Sequence, residues 1–416
     1  MSATQADAKP GFSYDPFSLE ARSNPLSLYP TLLADHPAYF MPDYDAYAVS
    51  RFDDVWNAFM DATNFSEAEG MLFTRDKLLE HHRGAPPQPK LDPVDMFLFL
   101  DPPHHTRYRR TMGPPFTKGS IAKMEGALTD MVRGRLAELV PQGRFDLNLD
   151  LGSYVSVSAT GMIMGLPIDD QTRMVDLVNR MVKRDPERPG PTEDGALARA
   201  ELHQFLKHVV ARRRSGEGNE SRLIDSLLQV EITDRPLTDD EIAGDLSGIL
   251  VGGTETVPKV ISAGMYELWK RPEQLAAVRA DIATNASLAV EEMLRFNAPA
   301  QWFGRTALNP VEVAGVTLEP GQRVILLIAA ANRDPREFDD PNEFIWNRKA
   351  RRMISFGIGP HFCIGIHLAR LELQILVREL LAVAGDYEID VDGGEWAISE
   401  FQIGWTRLPI ILGKTD

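Results

Sequence analysis

Residues 356–365 read FGIGPHFCIG, and the interpretation of the whole chain starts from this stretch. Its three glycines allow tight backbone turns and close approach to a flat ligand. Cys363 is the only cysteine among the 416 residues, which excludes an internal disulfide and a multi-cysteine metal site. A helix is predicted directly after Cys363, and N–H groups at its start would stabilise a thiolate. By itself the stretch fits either a metal-bound thiolate or a Gly-rich turn around a buried cysteine.

A second informative region is a predicted helix of roughly 30 residues that ends near Trp269. Thr238 and Glu241 form a capping box just before the apolar run IAGDLSGILVGGTETVPKVISAGMYELW. The centre of this run, GGTET (252–256), is rich in glycine and polar residues, which local propensity disfavours in a buried helix. Such a conflict is expected where function overrides packing.

The remaining pattern is mixed. Residues 364–384, which follow Cys363, predict a final helix. VEVAGVTL (311–318) and RVILLIAA (323–330) predict short strands around a Pro-Gly turn, and ISEFQIGWTRLPIIL (398–412) also suggests strand. The chain is therefore predicted to be mainly α with small β-sheets, and a single domain is expected over residues 1–416 because no linker or repeat divides it.

The cysteine stretch resembles the haem-binding loop of the cytochrome P450 family. The matching residues are Phe356, Gly357, Gly359, His361, Cys363 and Gly365. Three further segments match the family in the same order: DPPHHTRYRR (101–110), GGTET (252–256) and EMLR (292–295). The resemblance covers most of the chain and implies a soluble, bacterial-type haem-thiolate monooxygenase.

The resemblance implies a haem b, iron protoporphyrin IX, buried between the long central helix and the helix of the cysteine loop. Cys363 would be the axial ligand of the iron, and Phe356, Gly357 and Gly365 of the same loop would also bind the haem. The haem propionates would be bound by His105, Arg109, Arg305 and His361. His105 and Arg109 stand at i and i+4 of a predicted helix, for which a solvated basic helix is the alternative.

Two other sets of residues follow from the resemblance. Glu255 and Thr256 would handle the protons that dioxygen activation consumes. One departure from the family is Val257, which is followed by Pro258 and stands where relatives often have a second hydroxyl residue. Pro258 should bend the helix or remove one of its hydrogen bonds. The second set is a structural triad of Glu292, Arg295 and Arg348, for which a weak surface ion pair is the alternative.

The substrate-contacting segments of the family can also be located in this chain. Their residues are uncharged and mostly aromatic, sulfur-bearing or small: Met71, Phe73, Met96, Phe97, Gly248, Val251, Gly252, Gln301, Trp302, Phe303, Phe401 and Gln402. Such a lining suits an apolar ligand oriented by one or two polar groups, whereas the alternative for each residue is simple core packing. The expected reaction is hydroxylation or epoxidation of a terpenoid, steroid or aromatic hydrocarbon with O2.

Electrons must come from outside, because the chain has no flavin- or nicotinamide-binding fingerprint. A ferredoxin with a separate NAD(P)H reductase is expected, docking on a local basic patch; a solvated loop is the alternative. The candidate residues are Arg107, Arg110, Lys118, Arg348, Lys349, Arg351 and Arg352. The net charge of −16 argues against nucleic-acid binding. No apolar run reaches the length of a membrane span and the N-terminus does not resemble a signal peptide, so no membrane association and a cytoplasmic location are expected.

Two rival functions remain at this point. One is a haem-thiolate protein that binds or senses a ligand without oxygenation, and the other is a peroxide-driven peroxygenase. Neither needs the acid–alcohol pair Glu255-Thr256 in this form, so its presence favours a monooxygenase.

Overall fold

The computed structural model describes residues 11–81, 83–166, 171–185 and 187–413. Both ends of the expected domain lie outside these ranges. So do the first polar residues of the chain, part of the N-terminal stretch that does not resemble a signal peptide. The helices of the described part are α1 (Leu19–Ser23), α2 (Tyr29–Asp35), α3 (Phe52–Met60), α4 (Arg75–Leu79), α5 (His104–Met112), α6 (Lys118–Ala122), α7 (Glu125–Leu139), α8 (Ser153–Met164), α9 (Gln171–Val182), α10 (Glu193–Arg214), α11 (Arg222–Leu227), α12 (Asp239–Trp269), α13 (Pro272–Ala280), α14 (Ile282–Phe296), α15 (Ile328–Ala331) and α16 (Ile366–Val383).

Short strands form small sheets beside these helices. Their bounds are β1 (Ala38–Met41), β2 (Ala46–Val49), β3 (Phe65–Ser66), β4 (Arg144–Asp146), β5 (Phe303–Ala307), β6 (Val311–Val313), β7 (Val316–Leu318), β8 (Arg323–Leu326), β9 (Tyr387–Ile389), β10 (Glu395–Trp396), β11 (Trp405–Arg407) and β12 (Pro409–Leu412). The largest sheet has the order β1-β2-β8-β5-β3, and the others are β4-β12-β9, β10-β11 and β6-β7. The predicted fold class, mainly α with small sheets, is confirmed.

The largest sheet joins distant parts of the chain. β2 pairs in parallel with β8, with Ala48 opposite Ile325, and β3 pairs antiparallel with β5. Strands from the first 70 residues thus share one sheet with strands that follow residue 300. This pairing supports one continuous domain, which stays a prediction.

Helix α12 is the central element. Its predicted capping box is confirmed: the Glu241 N–H donates to Thr238 Oγ1 at 3.2 Å, and the Thr238 N–H donates to Glu241 Oε2 at 2.7 Å. The helix runs through Pro258 to Trp269 and packs against α8, α10, α14 and α16. A Cβ on Gly253 would stand 2.7 Å from Thr160 Oγ1 on α8, so glycine permits this close crossing.

Two predicted strands differ from the structure. In RVILLIAA, the strand ends at Leu326 and the chain continues as helix α15. The prediction was wrong here because a short, fully buried apolar run has no periodicity that distinguishes a strand from a helix. The predicted C-terminal strand begins only at Trp405. Before it, the Ser399 hydroxyl accepts the N–H groups of Phe401 and Gln402, and this local bonding makes a turn.

No helix within the described ranges combines the length and the apolar character needed to cross a membrane. The core consists of two clusters of buried apolar side chains. The larger cluster surrounds α12 and the helices that pack against it. The second cluster lies around the largest sheet and the N-terminal helices.

The triad that the sequence proposed is brought together in the core. The Glu292 carboxylate accepts Arg295 Nε and Nη2, both at 2.8 Å, and Arg348 Nε at 3.0 Å. The Arg295 side chain is 0% exposed, and its Nη1 also donates to the carbonyls of Asn332 and Pro341. These bonds tie the end of α14 to the irregular segment that leads to the cysteine loop.

We expect Glu292→Ala to lower the free energy of unfolding by about 3 kcal/mol or more, because it leaves a buried guanidinium without its counter-charge. Urea unfolding measures the change. The neighbouring Glu291→Ala is the control: its partner Arg370 is about one-third exposed, so its loss should cost under about 1 kcal/mol. Equal losses for the two variants would contradict a stabilising role of the triad.

Candidate active site

The cysteine loop is shaped by glycine and by backbone hydrogen bonds. The Cys363 N–H donates to the Phe356 carbonyl at 2.9 Å, and the Phe362 N–H donates to the Gly359 carbonyl at 3.1 Å. Gly359 has φ of 78°, and a Cβ there would stand 2.4 Å from the Phe59 carbonyl oxygen. Only glycine therefore lets the loop pack on the end of α3. Gly357 also has positive φ, with open space where a Cβ would project.

The electrostatics of Cys363 differ from the expectation that the start of the following helix stabilises its thiolate. Burial raises the pKa of its thiol, whereas the Gly365 N–H, Arg109 and Arg370 act in the opposite direction without reversing the shift. The helix start thus gives too little stabilisation to make a free thiolate by itself. A bound metal ion removes the thiol proton outright, so the sulfur is suited to a coordinated thiolate.

Two buried histidines lie beside this loop. The rings of His105 on α5 and His361 in the loop stack at 3.8 Å between centroids. Neither ring has a hydrogen-bonded nitrogen among the described residues, although His105 is 1% exposed. Burial, with smaller contributions from His361 and Arg109, lowers the pKa of His105 to about 3. Unsatisfied buried nitrogens of this kind call for a polar partner.

Two arginines complete a basic cluster. An Nη2 of Arg109 donates to the Phe362 carbonyl, which ties α5 to the cysteine loop. Arg305 on β5 is buried, donates to the Gly304 carbonyl at 2.7 Å and pairs with Glu67. His361 Nδ1 lies 2.8 Å from Glu67 Oε2, without the alignment of a hydrogen bond. Glu67 was missed by the sequence reasoning because nothing local distinguishes it from a surface acid.

The centre of α12 presents a mixed surface. Gly252 is exposed and a Cβ there would meet nothing within 4 Å, so the helix faces open space at this position. The half-exposed Thr256 donates its hydroxyl to the Gly252 carbonyl at 3.2 Å. A hydroxyl group therefore lies next to a gap in the helix surface.

Glu255 points into a different environment. Lys259 Nζ lies 3.1 Å from Glu255 Oε2 and also donates to the Glu255 carbonyl, and both side chains are about 5% exposed. Lys259 was not among the site residues predicted from the sequence. Its i,i+4 spacing from Glu255 is the signal that could have identified it.

The structure divides the predicted substrate residues into two groups. Gln301, Trp302, Phe73 and Phe97 are buried and have packing roles. The Gln301 amide is engaged with the carbonyls of Ala21 and Ser399, so it is not available to orient a ligand. The partly or fully exposed group is Met71, Met96, Gly248, Val251, Gly252, Phe303, Phe401 and Gln402.

Comparison with known proteins decides the family. The cytochrome P450 family model matches residues 88–383, which is more than half of the chain. The chain belongs to the cytochrome P450 family. It is therefore an oxidoreductase of the monooxygenase class, and P450 enzymes use a haem-thiolate cofactor, O2 and a redox partner.

Relatives of this P450 match it over about three quarters of its length or more. The vitamin D(3) 25-hydroxylase of Pseudonocardia autotrophica is 30% identical over 406 residues, 96% of each chain. The P450 monooxygenase PikC of Streptomyces venezuelae is 34% identical over 316 residues, 74% of each chain. The crystal structure of CYP109E1 from Bacillus megaterium in complex with testosterone has a TM-score of 0.80 and 25% identity, covering 95% of this chain and 100% of that one.

The residues of this P450 fit a haem. His105 offers two ring nitrogens and His361 its Nε2 without hydrogen bonds, and Arg109 and Arg305 supply positive charge beside them. Two carboxylates, such as haem propionates, would satisfy this cluster through charge-assisted hydrogen bonds. The open spaces at Gly252 and Gly357 can admit a flat group, and Cys363 offers the sulfur ligand. Because Glu67 already pairs with Arg305, a propionate would share that guanidinium with it.

We expect His105→Phe to release haem about tenfold faster, because phenylalanine keeps the stacked ring but removes both nitrogens. Transfer of haem to excess apomyoglobin measures the rate. His104→Phe, one position earlier on α5, is the control and should leave the rate unchanged. If both variants lose haem like the wild type, His105 takes no part in holding the propionates.

Proposed function

We propose that this P450 uses haem b and O2 to hydroxylate or epoxidise an apolar substrate of steroid or terpenoid size. The observation that carries the proposal is the open face of α12, where Gly248 and Gly252 lie next to partly exposed apolar residues. A Cβ on Gly248 would stand 3.4 Å from Leu98 Cδ1 and 3.7 Å from Met96 Sδ. A lining of this kind selects an apolar ligand.

The relatives support the same substrate class. One is named for the hydroxylation of vitamin D(3), and another was crystallised with testosterone. Phe303 and Phe401, with ring centroids 5.5 Å apart, supply further partly exposed aromatic surface. Of the two glutamines that were candidates for orienting the ligand, we retain Gln402, because Gln301 is engaged in the core.

The protein residues have distinct roles in this proposal. Haem, when bound, supplies the oxygen activation, which an electron-donating cysteine ligand favours. The Gly365 N–H interacts with the Cys363 sulfur and tempers its charge. Thr256 Oγ1 carries a proton beside the gap at Gly252 and can pass it on by rotating away from the Gly252 carbonyl. Glu255, whose carboxylate Lys259 holds in place, takes up a proton from solvent, passes it on to replace the one that Thr256 has given, and returns to the carboxylate form.

The test begins with a ligand. We expect vitamin D3, testosterone or another apolar compound of that size to convert the ferric spectrum from low spin to high spin in a saturable manner, by displacing water from the iron. Fatty acids, small charged acids and monocyclic aromatics form the rest of the panel. A normal thiolate-ligated spectrum with no shift from any steroid or terpenoid would contradict the substrate class.

With such a ligand, Thr256→Ala separates the rival functions. We expect product per NADH to fall about tenfold while NADH oxidation continues and peroxide accumulates, as for loss of a proton-transfer group. Ser247→Ala is the control, because its hydroxyl bonds the Ala243 carbonyl elsewhere on α12. Unchanged coupling in Thr256→Ala would contradict the relay. A wild type that forms product only with added peroxide would indicate a peroxygenase, and one that forms none would indicate a ligand-binding protein.

We further propose that electrons come from a ferredoxin with a separate NAD(P)H reductase. Two of the basic residues considered for docking are engaged: Arg348 belongs to the buried triad, and Arg352 pairs with Glu337 and Asp53. The remaining residues, Arg107, Arg110, Lys118, Lys349 and Arg351, are exposed. Arg107 and Arg110 lie on α5, the helix that Arg109 ties to the loop of Cys363.

We expect Arg351→Glu to slow reduction by a small acidic [2Fe–2S] ferredoxin about tenfold at low ionic strength, with the difference shrinking as salt is added. Stopped-flow reduction under carbon monoxide measures it. Arg199→Glu, the same charge change on α10, is the control. Equal rates for the two variants at every salt concentration would exclude docking at Arg351.

A further inference from the structure

The segment before α5 is anchored to the first half of α12 at two points. The Val94 N–H donates to Glu241 Oε1 at 2.7 Å. The Phe97 N–H donates to Asp245 Oδ1 at 2.9 Å. Glu241 and Asp245 are four residues apart, so the two carboxyl groups stand one above the other on one face of the helix. Together they hold an otherwise irregular stretch of chain along α12.

Asp245 connects a third element. The Tyr108 hydroxyl on α5 donates to Asp245 Oδ2, and Tyr108 and Asp245 are 0% and 1% exposed. The rings of Phe97 and Tyr108 also contact each other, with centroids 6.1 Å apart. One carboxyl group thus fixes the segment around Phe97 and the helix that carries His105 relative to α12.

This anchor decides where two apolar side chains lie. Met96 and Leu98 flank Phe97 and are partly exposed. A Cβ on Gly244 would stand 3.6 Å from Met96 Cγ, and one on Gly248 would stand 3.4 Å from Leu98 Cδ1. Glycine at both positions leaves room for Met96 and Leu98 to pack directly on the helix, and the Phe97–Asp245 bond between them holds them there.

We propose that Asp245 is a positioning residue that sets the depth of the ligand pocket by holding Met96 and Leu98 against α12. The proposal rests on the proposed function, since it concerns the same pocket. It goes beyond that function because Asp245, a buried acid that does not touch the ligand, determines the shape of the pocket wall formed by Met96 and Leu98.

The protonation of Asp245 supports the assignment. Burial raises the pKa of its carboxyl to about 8, and the Phe97 N–H lowers it by less. The polar groups that face it are Tyr108 from α5 and the Phe97 N–H, while Glu241, one turn away, is paired with Arg235 at 2.7 Å. The neutral form therefore prevails at pH 7. Asparagine keeps its shape and the oxygen that accepts the Phe97 N–H, while its amide N–H reverses the second bond and donates to the Tyr108 hydroxyl oxygen.

Two haem-iron ligands of different size test the proposal. Imidazole reports on the iron alone, whereas the ring of 4-phenylimidazole extends into the pocket; the spectral shift gives both dissociation constants. For Asp245→Ala we expect the 4-phenylimidazole constant to rise about tenfold, and the imidazole constant to change less than about threefold. Asp245→Asn should restore both constants. Tyr108→Phe, which keeps the Phe97 bond, should have a smaller effect than Asp245→Ala.

A second readout is pH. Between pH 7.5 and 9, ionisation of Asp245 should strengthen 4-phenylimidazole relative to imidazole in the wild type but not in Asp245→Asn, because a carboxylate accepts the Phe97 N–H more strongly than the neutral acid does. The control is Glu372→Gln. Glu372 is another buried carboxyl whose pKa burial raises, and its bond is to Ser156 on α8, away from the Met96–Leu98 segment. This variant should keep the wild-type pH dependence of the ratio.

The possible failures can be told apart. If imidazole does not bind the wild type, the haem site itself is refuted, and the proposed function fails with it. If imidazole binds normally but the ratio of the two constants is unchanged in Asp245→Ala, Asp245 does not shape the pocket, whereas the proposed function stands. If the ratio of the two constants changes as much in Glu372→Gln as in Asp245→Ala, the cause is general destabilisation of the protein, and the inference is overturned.

Discussion

The buried ion pair between Arg295 and Glu292 is the interaction on which the cysteine loop depends. A guanidinium with no exposed surface is stable only if its donors all find partners, and Arg295 finds them in Glu292 and in the carbonyls of Asn332 and Pro341. Asn332 in turn accepts the Ile354 N–H at 2.9 Å and donates to Ser355 Oγ at 3.0 Å. Ser355 immediately precedes the loop, so the charge pair in the core determines where that loop begins.

In α12, two glycines next to the candidate active site lower the stability of the helix. Gly252 and Gly253 weaken the helix by roughly 1 kcal/mol each relative to alanine. Gly253 offsets this by letting Thr160 of α8 approach α12 closely, but Gly252 faces open space and has no packing partner. A residue that costs stability without a packing gain is a sign of function, and here it lies beside the Thr256 hydroxyl.

Buried polar groups in this P450 fall into two kinds. The Glu292 and Asp245 carboxyls have their partners within the protein and hold elements together. The histidine rings of His105 and His361 have nitrogens without hydrogen bonds in the described part of the chain, at the point where several elements meet. The first kind stabilises the fold by itself, while the second kind would find its hydrogen bonds in a bound haem.

The sequence by itself determined those features that depend on neighbours along the chain. The capping box of Thr238, the helix of His105 and Arg109, and the turns of the cysteine loop all follow from local spacing and from residues with special backbone freedom. The family resemblance was likewise carried by short segments: the cysteine loop, the segment of His105 and Arg109, GGTET (252–256) and EMLR (292–295). The mainly helical class with small sheets follows from hydrophobic periodicity, except where the short apolar run at 328–331 fits strand and helix equally well.

Only the tertiary structure decided which side chains were already engaged. Gln301 and Trp302 belong to the core and not to the pocket surface, Arg348 and Arg352 are tied to acids, and Glu67 enters the basic cluster from a distant part of the chain. Asp245 gained its role from a residue 148 positions away. The physical reason is the same in each case: burial and pairing depend on contacts between segments far apart in sequence, and periodicity carries no information about which distant group lies opposite.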